Sequence, residues 1–382
     1  MKKLRKALTL FLALLFLFSL NGCGTAKNRK AVAGATQKKA EPATDIKNYE
    51  LALVTGIGDI DDQSFNQYSF EGLKKYAEEN GVTYKYYKPA AKDTDAFVDA
   101  IDLAVKGGAK LIVTPGSPMA GAVYQAQDLY PDVKFVLLDA TPQKDGSQGS
   151  RQGPNVYCIL YAEEQGGFLA GYACVKDGYR NLGFLGGMAV PSVVRFGYGF
   201  VQGADLAARE LGLKAGEVKI KYQNTGAFEA GSQVQALAAS WYEEGVEVIF
   251  GCGGAMGLSV FTAAEQTGKY AVGVDADQSE LSGSVITSCM KGLAESVYDA
   301  ADKFYKNEFP GGQVVVRSAK EQGVRLPMAT SRFKTFSQAD YEKILARLAE
   351  DTEGLASSLK KDTDAAKVTD LELKVAVVDL IE

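Results

Sequence analysis

The chain has 382 residues, 46% of them hydrophobic, with 42 Lys/Arg against 47 Asp/Glu and no histidine. The absence of imidazole rules out Ser-His-Asp triads, His-ligated zinc and histidine proton relays, and the acidic balance argues against nucleic acid or an anionic lipid surface as partner. A chain of this length usually folds as two domains.

The first residues form a leader with a basic start (Lys2, Lys3, Arg5, Lys6), an apolar run from Ala7 to Leu20, and then Leu20-Asn21-Gly22-Cys23. That order matches a bacterial lipoprotein signal, cut before a cysteine that carries the lipid, here a palmitate-bearing Cys23. An ordinary secretion signal with a cysteine near its end is the alternative. The apolar run is shorter than the ~20 residues that span a bilayer, so a transmembrane helix is the weaker reading. Either leader places the folded part outside the cytoplasm. Removing residues 1–22, which hold four Lys/Arg and no acid, leaves 38 Lys/Arg against 47 Asp/Glu, a net charge of −9 over 360 residues.

Residues 23–48 are small, polar and basic without apolar periodicity, and they predict a flexible tether. From Tyr49 onward, strand-length apolar runs alternate with helix-length segments. Strands are expected at 51–55, 111–114, 135–138, 182–185, 218–222, 246–250, 271–274 and 284–287. Helices are expected near 64–80, 94–107, 118–130, 162–176, 196–212, 230–244, 256–268 and 291–307. Ser64 with Gln67 forms a capping-box pattern that starts the first helix at Phe65. Ser337 is placed to cap a helix over 337–359, and 373–381 reads as a final strand. The alternation predicts an α/β fold of parallel sheets with right-handed crossovers. A Gly/Ser/Pro-rich stretch at 144–154 suggests the break between two lobes.

The segments after the strands are unusual: GIGD, PGSP, DAT, GGMAVP, NTGAF, GCGGA and DADQ. In open parallel sheets ligands bind outside the carboxyl ends of the strands, where glycine lets the backbone approach them. Asp61 and Asp62 are candidate acceptors for ligand N–H or O–H groups, and Asn66 can donate and accept; alternatively the carboxylates cap the helix. The internal cysteines Cys158, Cys174, Cys252 and Cys289 have no CxxC spacing and lie in apolar or small-residue contexts, which favours buried free thiols, although an oxidising compartment leaves a disulfide open.

The run LALVTGIGDIDDQSFNQYSFEGL at 51–73 resembles the opening of the basic-membrane-protein family, the purine-nucleoside-receptor-like lipoproteins that feed ABC transporters. GGFLAGY (166–172), GFLGGMAVPSVVRFGYGFVQGA (183–204), TGAFEAG (225–231), VEVIFGCGGAMGLSVFTAAEQTG (246–268), GVDADQ (273–278) and VITSCMKG (285–292) follow in the same order. The resemblance covers roughly residues 50–335, and seven ordered motifs are far more specific than any one alone. It implies two Rossmann-like lobes joined by crossing hinge strands, as in type I periplasmic binding proteins. Lobe 1 would comprise 49–155 completed by about 285–320, and lobe 2 would comprise 156–284 completed by about 321–382.

The resemblance also implies a monomeric, non-enzymatic receptor without cofactor or metal. It would be anchored outside the cell membrane and would pass a purine nucleoside (guanosine, adenosine or inosine) to permease and ATPase subunits. Carried over by motif, Phe70 and Phe228 resemble the pair that stacks the base. Asp275 and Lys291 resemble the ribose clamp, and Asp62, Asn66 and Asp139 resemble the groups that read the base edge. On spacing alone, Phe65 and Phe70 are equally suited to core packing, and Lys291 to a solvated helix start. The loop TGAFEAG departs from the family by carrying Glu229 directly after the phenylalanine, and GCGGAMG has Cys252 and Met256 where small residues are expected. A sugar or signalling-furanose receptor of the same fold, a sensor or adhesion lipoprotein, and a cell-surface nucleoside-processing enzyme are the alternatives.

Overall fold

Apolar runs such as Leu51-Ala-Leu-Val54 and Val248-Ile-Phe-Gly-Cys252 are buried on both faces, as strands in the middle of helix-covered parallel sheets must be. The computed structural model describes residues 48–147 and 149–381. The leader, the lipid-bearing candidate Cys23 and the tether up to Lys47 lie outside the described residues. Among those described, no helix is long and apolar enough to cross a membrane.

Among the described residues, thirteen strands form two sheets. In chain order they are β1 (Leu51–Val54), β2 (Tyr84–Tyr87), β3 (Leu111–Pro115), β4 (Lys134–Leu138), β5 (Val156–Tyr161), β6 (Asn181–Gly186), β7 (Val218–Asn224), β8 (Val248–Cys252), β9 (Tyr270–Asp275), β10 (Val285–Lys291), β11 (Val314–Arg317), β12 (Val324–Arg325) and β13 (Ala376–Leu380). The first sheet runs β11-β5-β4-β3-β1-β2 and is parallel throughout. The second runs β12-β10-β9-β8-β6-β7-β13, parallel except for the antiparallel β12.

The helices are α1 (Phe65–Asn80), α2 (Thr94–Lys106), α3 (Ala120–Leu129), α4 (Glu163–Lys176), α5 (Pro191–Glu210), α6 (Ser232–Glu243), α7 (Met256–Thr267), α8 (Leu293–Tyr305) and α9 (Gln338–Ala349). The chain passes between the sheets three times: from β5 into α4, from β10 into α8, and from β11 into β12. Each half is therefore assembled from separate stretches of sequence. Val156–Tyr161 and Leu293–Arg317 complete the half that holds β1, whereas β10 stays in the other half. These limits differ by several residues from those drawn at the Gly/Ser/Pro stretch, because strand pairing and not loop composition decides where β5 and β10 belong.

The two Gly-rich motifs GGFLAGY and FGYGFVQG acquire a packing reason in the α4–α5 contact. A side chain at Gly167 or Gly171 would lie 2.0 Å from the carbonyl oxygen of Phe196 or Phe200, and one at Gly199 or Gly203 would meet the carbonyls of Glu164 and Phe168 at the same distance. Glycine on both partners brings the two helix backbones into contact. This fixes Glu163, at the start of α4, beside Arg195, on the first turns of α5. The four internal cysteines are free and buried.

Several local expectations change. β2, β5, β11 and β12 were not foreseen; β2 and β11 are half-exposed sheet edges with little apolar contrast. Ser337 caps α9 through a full capping box with Asp340, but the helix stops at Ala349. Ser64 makes no capping bond to α1. The carboxylate of Asp62 does that work, accepting from the backbone N–H of Ser64, Asn66 and Gln67 at 2.9, 2.9 and 3.1 Å, because the Ser64 hydroxyl donates across to Asp275.

Candidate functional site

The loops that follow the strands of both sheets converge on one cavity of about 320 Å³, within the range of small-molecule sites. The half holding β1 supplies Ile57–Asp59, Asp61, Asp62, Phe65, Asn66, Lys88, Lys92, Pro115–Pro118 and Asp139. The other supplies Val190, Ser192, Val193, Phe196, Phe228–Ala230, Cys252–Ala255, Val274, Asp275 and Lys291.

Lys291 ends β10 at the bottom of the cavity, 3% exposed. Its ammonium lies 2.5 Å from Asp139 Oδ2 and 3.0 Å from Glu163 Oε1, and within 4.9–5.3 Å of the ring centres of Phe65, Tyr161 and Phe196. Burial alone would lower its pKa, but the carboxylates of Asp139, Glu163 and Asp275 outweigh that and hold it above the usual lysine value. The same burial pushes the carboxyl groups of Glu163 and Asp275 up, against the pull of Lys291.

Asp139 and Asp275 each terminate a strand in the left-handed region, with φ of 61° and 68°. A non-glycine residue held there costs on the order of 1–3 kcal/mol and is typical of ligand sites. Asp275 Oδ2 accepts from Ser64 Oγ at 2.5 Å, linking the two halves. Gln278 adds a second link, its amide donating to the Gln63 carbonyl at 2.8 Å. Asp139 Oδ1 is buried and has no hydrogen-bond partner. Asp139 lines the cavity, so this oxygen is an acceptor that the fold itself leaves unused.

Of the residues singled out from sequence, Asp62, Asn66, Asp139, Phe228, Asp275 and Lys291 all line the cavity. Asp62 and Asn66 are largely occupied by the fold, however: Asn66 Nδ2 donates to Asp62 Oδ2 at 2.9 Å, and Asn66 Oδ1 accepts from the Gly56 N–H at 3.0 Å. Burial raises the Asp62 pKa while these bonds draw it back. Phe70 lies elsewhere. It packs against Tyr84 and Tyr86 of β2, at centroid distances of 5.8 and 5.6 Å, and the ring of α1 that lines the cavity is Phe65. Phe65 comes from the half holding β1 and its ring lies beside Gly116, whereas Phe228 comes from the other half and lies against Gly187.

A family model for "ABC transporter substrate-binding protein PnrA-like" (Bmp) matches residues 50–356. The chain belongs to the Bmp family. It is thus an ABC-transporter substrate-binding protein. The ABC transporter nucleoside-binding protein BmpA of Lactococcus lactis is 29% identical over 340 residues, covering 82% of this chain and 89% of that one. The fold is that of an ABC transporter solute-binding protein from Aeropyrum pernix (TM-score 0.66, 20% identity, covering 84% and 89% of the two chains). It is also that of a periplasmic binding protein/LacI regulator from Alkaliphilus metalliredigens (TM-score 0.50, 14% identity, 72% and 97% covered).

The sequence did not single out Phe65 and Phe196, which line the cavity, nor Ser64, Glu163 and Arg195, which hold Asp275 and Lys291 from behind it. Phe65 carried a usable signal, since the first residue of a helix that opens on the crevice faces its mouth. Glu163 and Arg195 carried none, because Glu163 meets Lys291 only through the crossing of β5 into α4, and Arg195 meets Glu163 only through the α4–α5 contact. Glu229 does not enter the ring pair. It makes an exposed ion pair with Lys92 across the mouth, joining the two halves.

Proposed function

We propose that this protein captures a purine nucleoside, such as guanosine, adenosine or inosine, between its two halves and delivers it to permease and ATPase subunits. Processing before Cys23 and lipidation there would hold it at the outer face of the cell membrane. The observation that carries this reading is the arrangement of the cavity: an aromatic ring from each half at its walls, and a charged floor in which Asp139 Oδ1 has no hydrogen-bond partner among the described residues. Phe65 and Phe228 stack the base, a contribution worth roughly 1–3 kcal/mol for any nucleobase. Asp139, Asp275 and Lys291 take the ribose hydroxyls, and Asn66 with Asp62 borders the base edge.

Charge favours a nucleoside over a nucleotide. The cavity is lined by Asp59, Asp61, Asp62, Asp139, Asp275 and Glu229 against Lys88, Lys92 and Lys291. That excess of carboxylates suits a neutral ligand rich in O–H and N–H donors and repels a phosphate. The test is thermal unfolding with a panel of purine nucleosides, pyrimidine nucleosides, nucleotides and ribose. A ligand at 100 times its Kd stabilises by about 2.7 kcal/mol, so a raised melting temperature with purine nucleosides alone is expected. No shift with any nucleoside would overturn the reading, and a shift with ribose equal to that with nucleosides would transfer it to a furanose receptor.

A further inference from the structure

Residues 357–381 lie beyond the stretch matched by the family model, yet they are built into the half that holds Lys291. They add β13 to the edge of the second sheet, paired in parallel with β7 from Ala376↔Val218 to Leu380↔Tyr222. They are also fastened along α5: Gln202 exchanges two 2.9 Å hydrogen bonds with the Lys360 backbone, and the Tyr198 hydroxyl donates to the Ala365 carbonyl at 3.1 Å.

One tail residue reaches further. Asp362 Oδ1 accepts from Arg195 Nε at 2.6 Å, and Arg195 lies 3.5 Å from Glu163 Oε2. Glu163, its side chain 1% exposed, is the second carboxylate on Lys291. A chain of alternating charges therefore runs from the tail to the floor of the cavity: Asp362, Arg195, Glu163, Lys291, Asp139.

We propose that Asp362 is a positioning residue for ligand binding, acting through Arg195 and Glu163 on the Lys291 ammonium. Asp362 holds the guanidinium back from Glu163. Without that carboxylate, Arg195 is drawn onto Glu163, Glu163 is taken from Lys291, and the ammonium settles wholly on Asp139. The acceptor left open for the ligand is then occupied, because a buried charge redistributes onto whatever partner remains. This proposal rests on the nucleoside reading of the cavity.

The test is calorimetric titration of the full chain with guanosine, adenosine and inosine, using the tightest binder for the variants. Asp362→Asn is expected to raise Kd about fivefold, the scale at which residues remote from a ligand modulate its binding. Asp362→Glu should restore it to within about twofold. Gln202→Ala loosens the same tail without touching the charges and should leave Kd unchanged, and Asp362→Asn should have no further effect in an Arg195→Gln background. Equal Kd for wild type and Asp362→Asn overturns the proposal alone. So does a loss shared by Gln202→Ala, which would make the tail a mere brace. A wild-type chain that binds no nucleoside overturns the reading beneath it, and this proposal with it.

Discussion

Asp139 combines a left-handed backbone with a buried carboxylate, one oxygen paired to Lys291 and the other without a hydrogen-bond partner. Both features are costly unless something outside the fold repays them, which is why the residue is read as a ligand contact and not as an internal ion pair. Asp139→Asn keeps the shape, and Glu163 still neutralises Lys291. Hydrogen bonds to charged groups contribute about 1.5–3 kcal/mol. Nucleoside affinity is therefore expected to fall at least tenfold in a calorimetric titration, while the urea midpoint moves little. Asp139 and Asp275 were legible in the sequence because each follows an apolar strand directly. Phe70 falls outside the cavity wall; spacing does not give helix phase. It lies five residues after Phe65, about 140° further round the helix at 3.6 residues per turn, so when one ring faces the cavity the other faces β2.

The long buried strands and their helices were legible from apolar runs and polar punctuation. The edges were not: β2 reads Tyr-Lys-Tyr-Tyr and β11 Val-Val-Val-Arg, four residues each, half exposed and stabilised by pairing with a distant neighbour. The same limit hid the brace that joins α4, α5 and α9, in which Glu210 accepts from the Tyr172 hydroxyl at 2.6 Å and meets Lys176 and Arg347 at 2.8 Å each. Burial alone would raise the Glu210 carboxyl, but the bonds from Lys176, Tyr172 and Arg347 outweigh it and hold it at about 2. A depressed carboxylate stabilises the fold above its unfolded pKa of 4.5, and that contribution is lost as pH falls from there through about 2. Glu210→Gln should thus cost about 1 kcal/mol near neutral pH, a figure reduced for partial solvent screening. The gap between the two denaturation curves should close towards pH 2; a gap independent of pH would remove the charge from the explanation.

Across the whole molecule, the three passages between sheets put the site where no local pattern could show it. Lys291 stands where one passage begins, Glu163 where another ends, and Asp139 sits at a strand end of the opposite half. Ser64 with Asp275, Gln63 with Gln278 and Lys92 with Glu229 tie the halves over the cavity. The motif order pointed to the two-halved architecture, and six of the seven residues it singled out line the cavity. The contacts that organise Lys291, Asp139 and Asp275 join chain segments more than a hundred residues apart, and only the folded topology supplies those.

The central claim is that a flat base lies between rings contributed by opposite halves, Phe65 and Phe228. It is tested most directly by titrating guanosine, adenosine and inosine into Phe65→Ala and Phe70→Ala side by side. Loss of one stacking partner worth roughly 1–3 kcal/mol predicts at least a fivefold rise in Kd for Phe65→Ala and a change within about twofold for Phe70→Ala. Equal effects of the two substitutions, or a larger one for Phe70→Ala, would contradict it.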